Sequence, residues 1–78
     1  MRDPNEIRAL KASLRGALDT AAALEALRPR VEAVDEHGEI SADDLDELAR
    51  VTVGHAVASA ALRGLVSTMQ ARRAASTT

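Results

Sequence analysis

The sequence contains no phenylalanine, tyrosine or tryptophan, and no cysteine. Without cysteine there is no disulfide and no thiolate metal site, a composition that fits a reducing cytosol. Without aromatic rings the chain lacks the stacking platforms that hold single strands and RNA loops. It also lacks the largest apolar side chains, so any core is Leu, Val, Ile, Met and Ala. No single charge sign dominates: acids and bases are mixed, with a net charge of -2. A protein that holds nucleic acid mainly through phosphates is basic. The start, MRDPNEIRAL, has no apolar signal-peptide run, and no uncharged stretch reaches the roughly 20 residues that span a bilayer. These absences predict a soluble, cytoplasmic protein without a membrane segment.

What is present favours helix. The chain is 78 residues long, which bounds it at one domain. A domain this small buries only about 60% of its unfolded surface and usually needs a staple. With no cysteine, the staple left is self-association or a partner. Ala, Leu, Glu and Arg dominate, all good helix formers. In DPNE, Asp3 can cap a helix, Pro4 suits its first position, and Glu6 can close a capping box. Ile7, Leu10, Leu14, Ala17, Leu18, Ala21 and Leu24 then recur at helical spacing. Pro29 interrupts, since inside a helix it removes a hydrogen bond. Leu27, Val31 and Val34 keep the spacing across it, which predicts a kink or a restart near Arg28, not an end, and a helix over about 4–37. Gly38 is read as its stop, a glycine able to take the left-handed conformation.

A second helix starts in ISADDLDEL. Ser41 can cap it, and Asp43, Asp44, Asp46 and Glu47 crowd its first turns, where the helix dipole favours negative charge. Arg72 and Arg73 mark its far end. The pattern predicts a connection over 38–41, a helix over about 42–72 and a frayed tail over 73–78. Short connections make antiparallel neighbours, and a helix of about 30 residues is about 45 Å long. The fold class is therefore all-α: a long antiparallel helical hairpin, able to dimerise into a four-helix bundle.

The stretch LARVTVGHAVASAALRGL, residues 48–65, supports two readings. Leu48, Ala49 and Arg50, followed by His55, Ala56, Ser59, Leu62 and Gly64, resemble the helix-turn-helix of lactose-repressor-type regulators. The resemblance covers residues 45–64 and implies a dimeric DNA-binding regulator with recognition on Gly54, His55, Ala56, Val57 and Ser59. The family's turn glycine is absent, and Gly54 stands where the turn serine belongs. Direct base readout favours Arg, Lys, Asn and Gln, which this face lacks.

The other reading is one unbroken helix. Leu45, Leu48, Val51, Thr52, His55, Ala58, Leu62, Leu65, Val66 and Met69 form a continuous stripe of 3 and 4 spacings. The opposite side is also apolar, with Val53, Val57, Ala60 and Gly64, and no charge falls between Val51 and Leu62. A helix apolar all round is buried all round, and the first helix can cover only one side. The candidate interface for self-association or for another helical protein is therefore Leu48, Val51, Val53, Gly54, His55, Val57, Ala58, Leu62, Gly64, Leu65 and Met69. Small residues at Gly54, Ala58, Ala61 and Gly64 allow close approach.

No residue set points to catalysis or to a cofactor. His55 has no neighbouring carboxylates and alone makes no metal site; it reads as a core or interface histidine hydrogen-bonded to Thr52 or Ser59, one turn away, the alternative being a buried acid/base or a pH switch across a two-fold axis. VDEHGEISADDL resembles an EF-hand loop through Gly38 and Ile40. Its first and last ligand positions fall on Ala33 and Asp44, where an acid and a bidentate Glu belong. No nucleophile–base set or phosphate loop is visible. The expectation is a small non-catalytic adaptor, inhibitor or assembly factor of bacterial or phage type, with no enzyme activity.

Overall fold

The computed structural model describes residues 4–76. It holds two helices, α1 over Pro4–Glu32 and α2 over Ala42–Ser76, antiparallel and packed along their length. The rod measures 59 × 21 × 16 Å. The capping role read for Asp3, and the end of the tail at Thr77 and Thr78, lie outside the described residues.

Each helix begins and ends for a local reason. Ser41 caps α2: its Oγ accepts the Asp44 N–H at 3.1 Å, and its carbonyl accepts the Leu45 N–H at 3.0 Å. Asp43 and Asp44 sit in that first turn, beside the positive end of the dipole. α2 then continues through Gly54 and Gly64 to Ser76, past the 72 expected from sequence. α1 is not divided by Pro29, which lies within its last turn. The proline ring removes one hydrogen bond and crowds the carbonyl four residues back, at Glu25, so the disturbance falls at the end of the helix.

The end of α1 differs from the sequence expectation. The helix closes at Glu32, about five residues early, and the connection runs from 33 to 41. Ala33 N–H reaches the Pro29 carbonyl at 3.0 Å, and Val34 N–H then tightens onto the Val31 carbonyl at 3.2 Å. Gly38 does not take the left-handed conformation read for it, as no described glycine has positive φ. It closes a separate turn instead, donating its N–H to the Asp35 carbonyl at 2.8 Å. Glycine suits the last position of such a turn; a Cβ there would stand 3.2 Å from the same carbonyl oxygen.

The helices meet along a heptad seam. On α1 the residues turned inward are Glu6, Leu10, Ser13, Ala17, Thr20, Leu24 and Leu27. On α2 they are Asp44, Leu48, Val51, His55, Ala58, Leu62, Leu65 and Met69. Both sets alternate steps of four and three, the 3.5-residue period of a left-handed coiled coil. This corrects the stripe read for the first helix: Leu14 and Leu18 are 46% and 59% exposed, while polar Ser13 and Thr20 take seam positions. Contacts of known partners fix the register. Thr20 meets His55, Arg30 meets Asp44 and Glu47, Glu6 meets Arg72, and Gly16 lies against Ala58. In every case the paired numbers add to between 74 and 78, so the register holds from the loop to the open end.

Candidate interaction surface

The eleven residues read as an interface divide between two faces of α2. Leu48, Val51, His55, Ala58, Leu62, Leu65 and Met69 are half-buried in the seam with α1. Gly54 is half-buried at the seam's edge. Val53 and Val57 point away from α1 and are 64% and 65% exposed; Gly64 is exposed beside them. Ala60 completes this outer stripe. Val53, Val57, Ala60 and Gly64 repeat the 4-3-4 rhythm of the seam, and Ser67 and Ala71 continue it. So α2 carries two heptad faces, one covered by α1 and one open.

His55 holds the middle of the seam. Its Nδ1 lies 2.8 Å from Thr20 Oγ1 and its Nε2 lies 3.4 Å from Ser59 Oγ. Thr20 Oγ1 also lies 3.0 Å from the Gly16 and Ala17 carbonyls. A hydroxyl has one proton to give. If it goes to those carbonyls, Thr20 accepts from an Nδ1–H, and Nε2 faces the Ser59 hydroxyl as acceptor. The Ser59 partner was legible one turn away. Thr20 was not, because it comes from the other helix. Thr52, the other partner considered, donates to the Leu48 carbonyl at 2.6 Å. The His55 ring is thus occupied by hydroxyls and sits between the helices.

Charged clasps stand at both ends of the seam. Arg30 donates to Glu47 at 2.6 Å and to Asp44 at 3.3 Å. Hydrogen bonding to Glu47, then its charge, then Asp44, raises the Arg30 pKa above its usual value. Arg72 donates to Glu6 at 2.7 Å. Along the rod the charges separate. Residues 4–21 and 56–76, the open half, carry Arg8, Lys11, Arg15, Arg63, Arg72 and Arg73 against Glu6 and Asp19. Residues 22–55, the loop half, carry nine acids against Arg28, Arg30 and Arg50. One half is therefore net +4 and the other net -6. The acidic half is one contiguous segment of the sequence, whereas the basic half is assembled as the hairpin folds the two ends of the chain together.

Little of the apolar content is buried within one chain. Among the described residues Leu27, 4% exposed, is the one buried hydrophobic. A folded monomer of 8.2 kDa is expected to expose about 4,500 Å². This chain exposes 6282 Å², an excess of roughly 1,700 Å². Besides Val53 and Val57, the open surface includes Leu14, Leu18, Leu45 and Val66.

The helix-turn-helix arrangement is not formed. α2 is continuous from Ala42 to Ser76, so there is no turn at 51–55. Val51 to His55 keep helical phase, and the seam with α1 runs through both Val51 and His55. His55, placed by the resemblance on a recognition face, is engaged with Thr20 and Ser59. No described helix is long and apolar enough to cross a membrane. No group of three or more His, Asp or Glu among the described residues is placed to hold a metal ion. Compared with known proteins, the chain matches no protein-family model, no curated protein and no solved structure.

Proposed function

We propose that the protein is a small, non-catalytic helical interaction and oligomerisation protein of the cytoplasm, acting through the outer face of α2. Two hairpins pair into an open four-helix bundle, with the α2 helices inside and the α1 helices outside. The observation that carries this reading is the uncovered stripe of Val53, Val57, Ala60 and Gly64. It lies on a helix without a charge from Val51 to Leu62, in a chain with one buried hydrophobic among its described residues. Hydrophobic burial is the main favourable term in both folding and association, and a single hairpin leaves Val53 and Val57 largely without it. Once paired, the bundle still presents Leu14 and Leu18 on α1, a surface for a helical partner protein such as an adaptor or inhibitor engages.

The test is the mass in solution of two charge variants. Val57→Glu places a carboxylate in the proposed interface, where burying it without a partner is costly. It is expected to reduce the assembly to single chains. Arg8→Glu changes charge on the exposed side of α1 and is expected to leave the mass unchanged. An unaltered mass for Val57→Glu would overturn the reading.

A further inference from the structure

We infer that the occupant of the open α2 face is a second copy of this chain running in the opposite direction, with the two-fold axis between Val57 and Ala60. The inference rests on the reading of that face as an interface and adds the partner's direction and register.

Size complementarity gives the register. Reversing the stripe about a point between Val57 and Ala60 sets Val57 against the second copy's Ala60, and Val53 against its Gly64. Each valine then meets a residue with one side-chain carbon or none. Gly64 offers the space: nothing lies within 4 Å of where its Cβ would be. A parallel pair in register would set valine on valine and glycine on glycine. That gives a bulge at one level and a void at another, both unfavourable in a close-packed interface.

Charge gives the direction. The loop half of the rod is net -6 and the open half net +4. Antiparallel copies lay the acidic half of one along the basic half of the other. Parallel copies stack like on like, a juxtaposition that interfaces avoid. The same rule holds on the stripe itself. In the reversed register Asp46 faces Ala71 and Arg50 faces Ser67; in parallel, Asp46 faces Asp46 and Arg50 faces Arg50.

Area is compatible with this. A stable standard-size interface removes about 800 Å² per partner, which lies within the roughly 1,700 Å² by which the whole hairpin exceeds a compact monomer of its mass.

The absence of native cysteine makes cross-linking a direct test. Val53→Cys and Gly64→Cys variants are oxidised separately and as an equimolar mixture exchanged under reducing conditions. Like positions in the antiparallel pair are about 16 Å apart along the axis, beyond disulfide reach. The mixture is expected to form a disulfide-linked pair containing one of each, several-fold in excess of any pair formed by either variant alone. Arg50→Cys with Ser67→Cys, which leaves Gly64 intact, is expected to behave in the same way. Pairs of two Val53→Cys chains, or of two Ser67→Cys chains, would overturn the direction. A dimer of unchanged mass that cross-links in neither mixture would overturn the register. A parent chain that is monomeric by mass would instead remove the self-association on which the inference rests.

Discussion

Replacing Thr20 by valine probes the centre of the hairpin with almost no change of shape. The hydroxyl removed is the partner of His55 Nδ1 at 2.8 Å. Valine and threonine have similar helix propensity, so the local cost is small. The substantial cost is an imidazole nitrogen left without a partner between two helices. An unsatisfied buried polar group costs about 1 to 3 kcal/mol, and the half-buried site places this one near about 1 to 2 kcal/mol. For a domain of this size that lowers the melting temperature by about 4 to 16 °C. Thr20→Ser keeps the hydroxyl and is expected to lie much closer to the parent. Thr20→Val combined with His55→Leu replaces both partners by apolar groups, which can be nearly neutral, so the double variant is expected to recover most of the loss. The assay is thermal and urea unfolding followed by far-UV circular dichroism, with every variant at one protein concentration, because association adds to apparent stability. A Thr20→Val variant that unfolds with the parent, or a double variant no better than the single, would refute the antiparallel register built on this contact.

Three further outcomes follow from the same structure. Leu27→Ala removes the most enclosed apolar side chain and is expected to cost about 2 to 5 kcal/mol, read as loss of helical signal at moderate urea. Ser41→Ala removes the acceptor of the Asp44 N–H and is expected to cost about 1 kcal/mol, with faster hydrogen exchange at the Asp44 amide and little change in α1. Gly54→Ala adds a methyl where no atom lies within 4 Å and replaces a poor helix former. It is expected to stabilise α2 by about 0.5 to 1 kcal/mol, read as a raised melting temperature.

The two helices were legible because their signals are local. Ser41 caps where an N-cap was read, and the acids behind it sit in the first turn. The end of α1 was not legible, because it depends on a choice among turns. Gly38 could have ended a helix in the left-handed conformation, but it closes the Asp35 turn instead. The seam of α1 was misread for a different reason. Hydropathy picks out Leu14 and Leu18, whereas Ser13 and Thr20 are placed inward by the partner helix. Thr20 is drawn to His55, 35 residues away in sequence, and nothing near Thr20 announces it. On α2 the uncharged run from Val51 to Leu62 did signal two apolar faces. Which residues belonged to each became clear only once α1 covered Leu48, Val51, His55, Ala58, Leu62, Leu65 and Met69. The segregation of charge was half legible: the acidic half is the contiguous segment 22–55, whereas the basic half forms only when folding brings the two ends of the chain together.

The most direct test of the interface is the mass of the unsubstituted chain by sedimentation equilibrium across micromolar concentrations. The expected result is a species of twice the 8.2 kDa chain mass, dissociating as the concentration falls, with loss of helical signal in parallel. A fully helical 8.2 kDa monomer at every concentration would contradict it, since the hairpin would then be stable with Val53 and Val57 left in water.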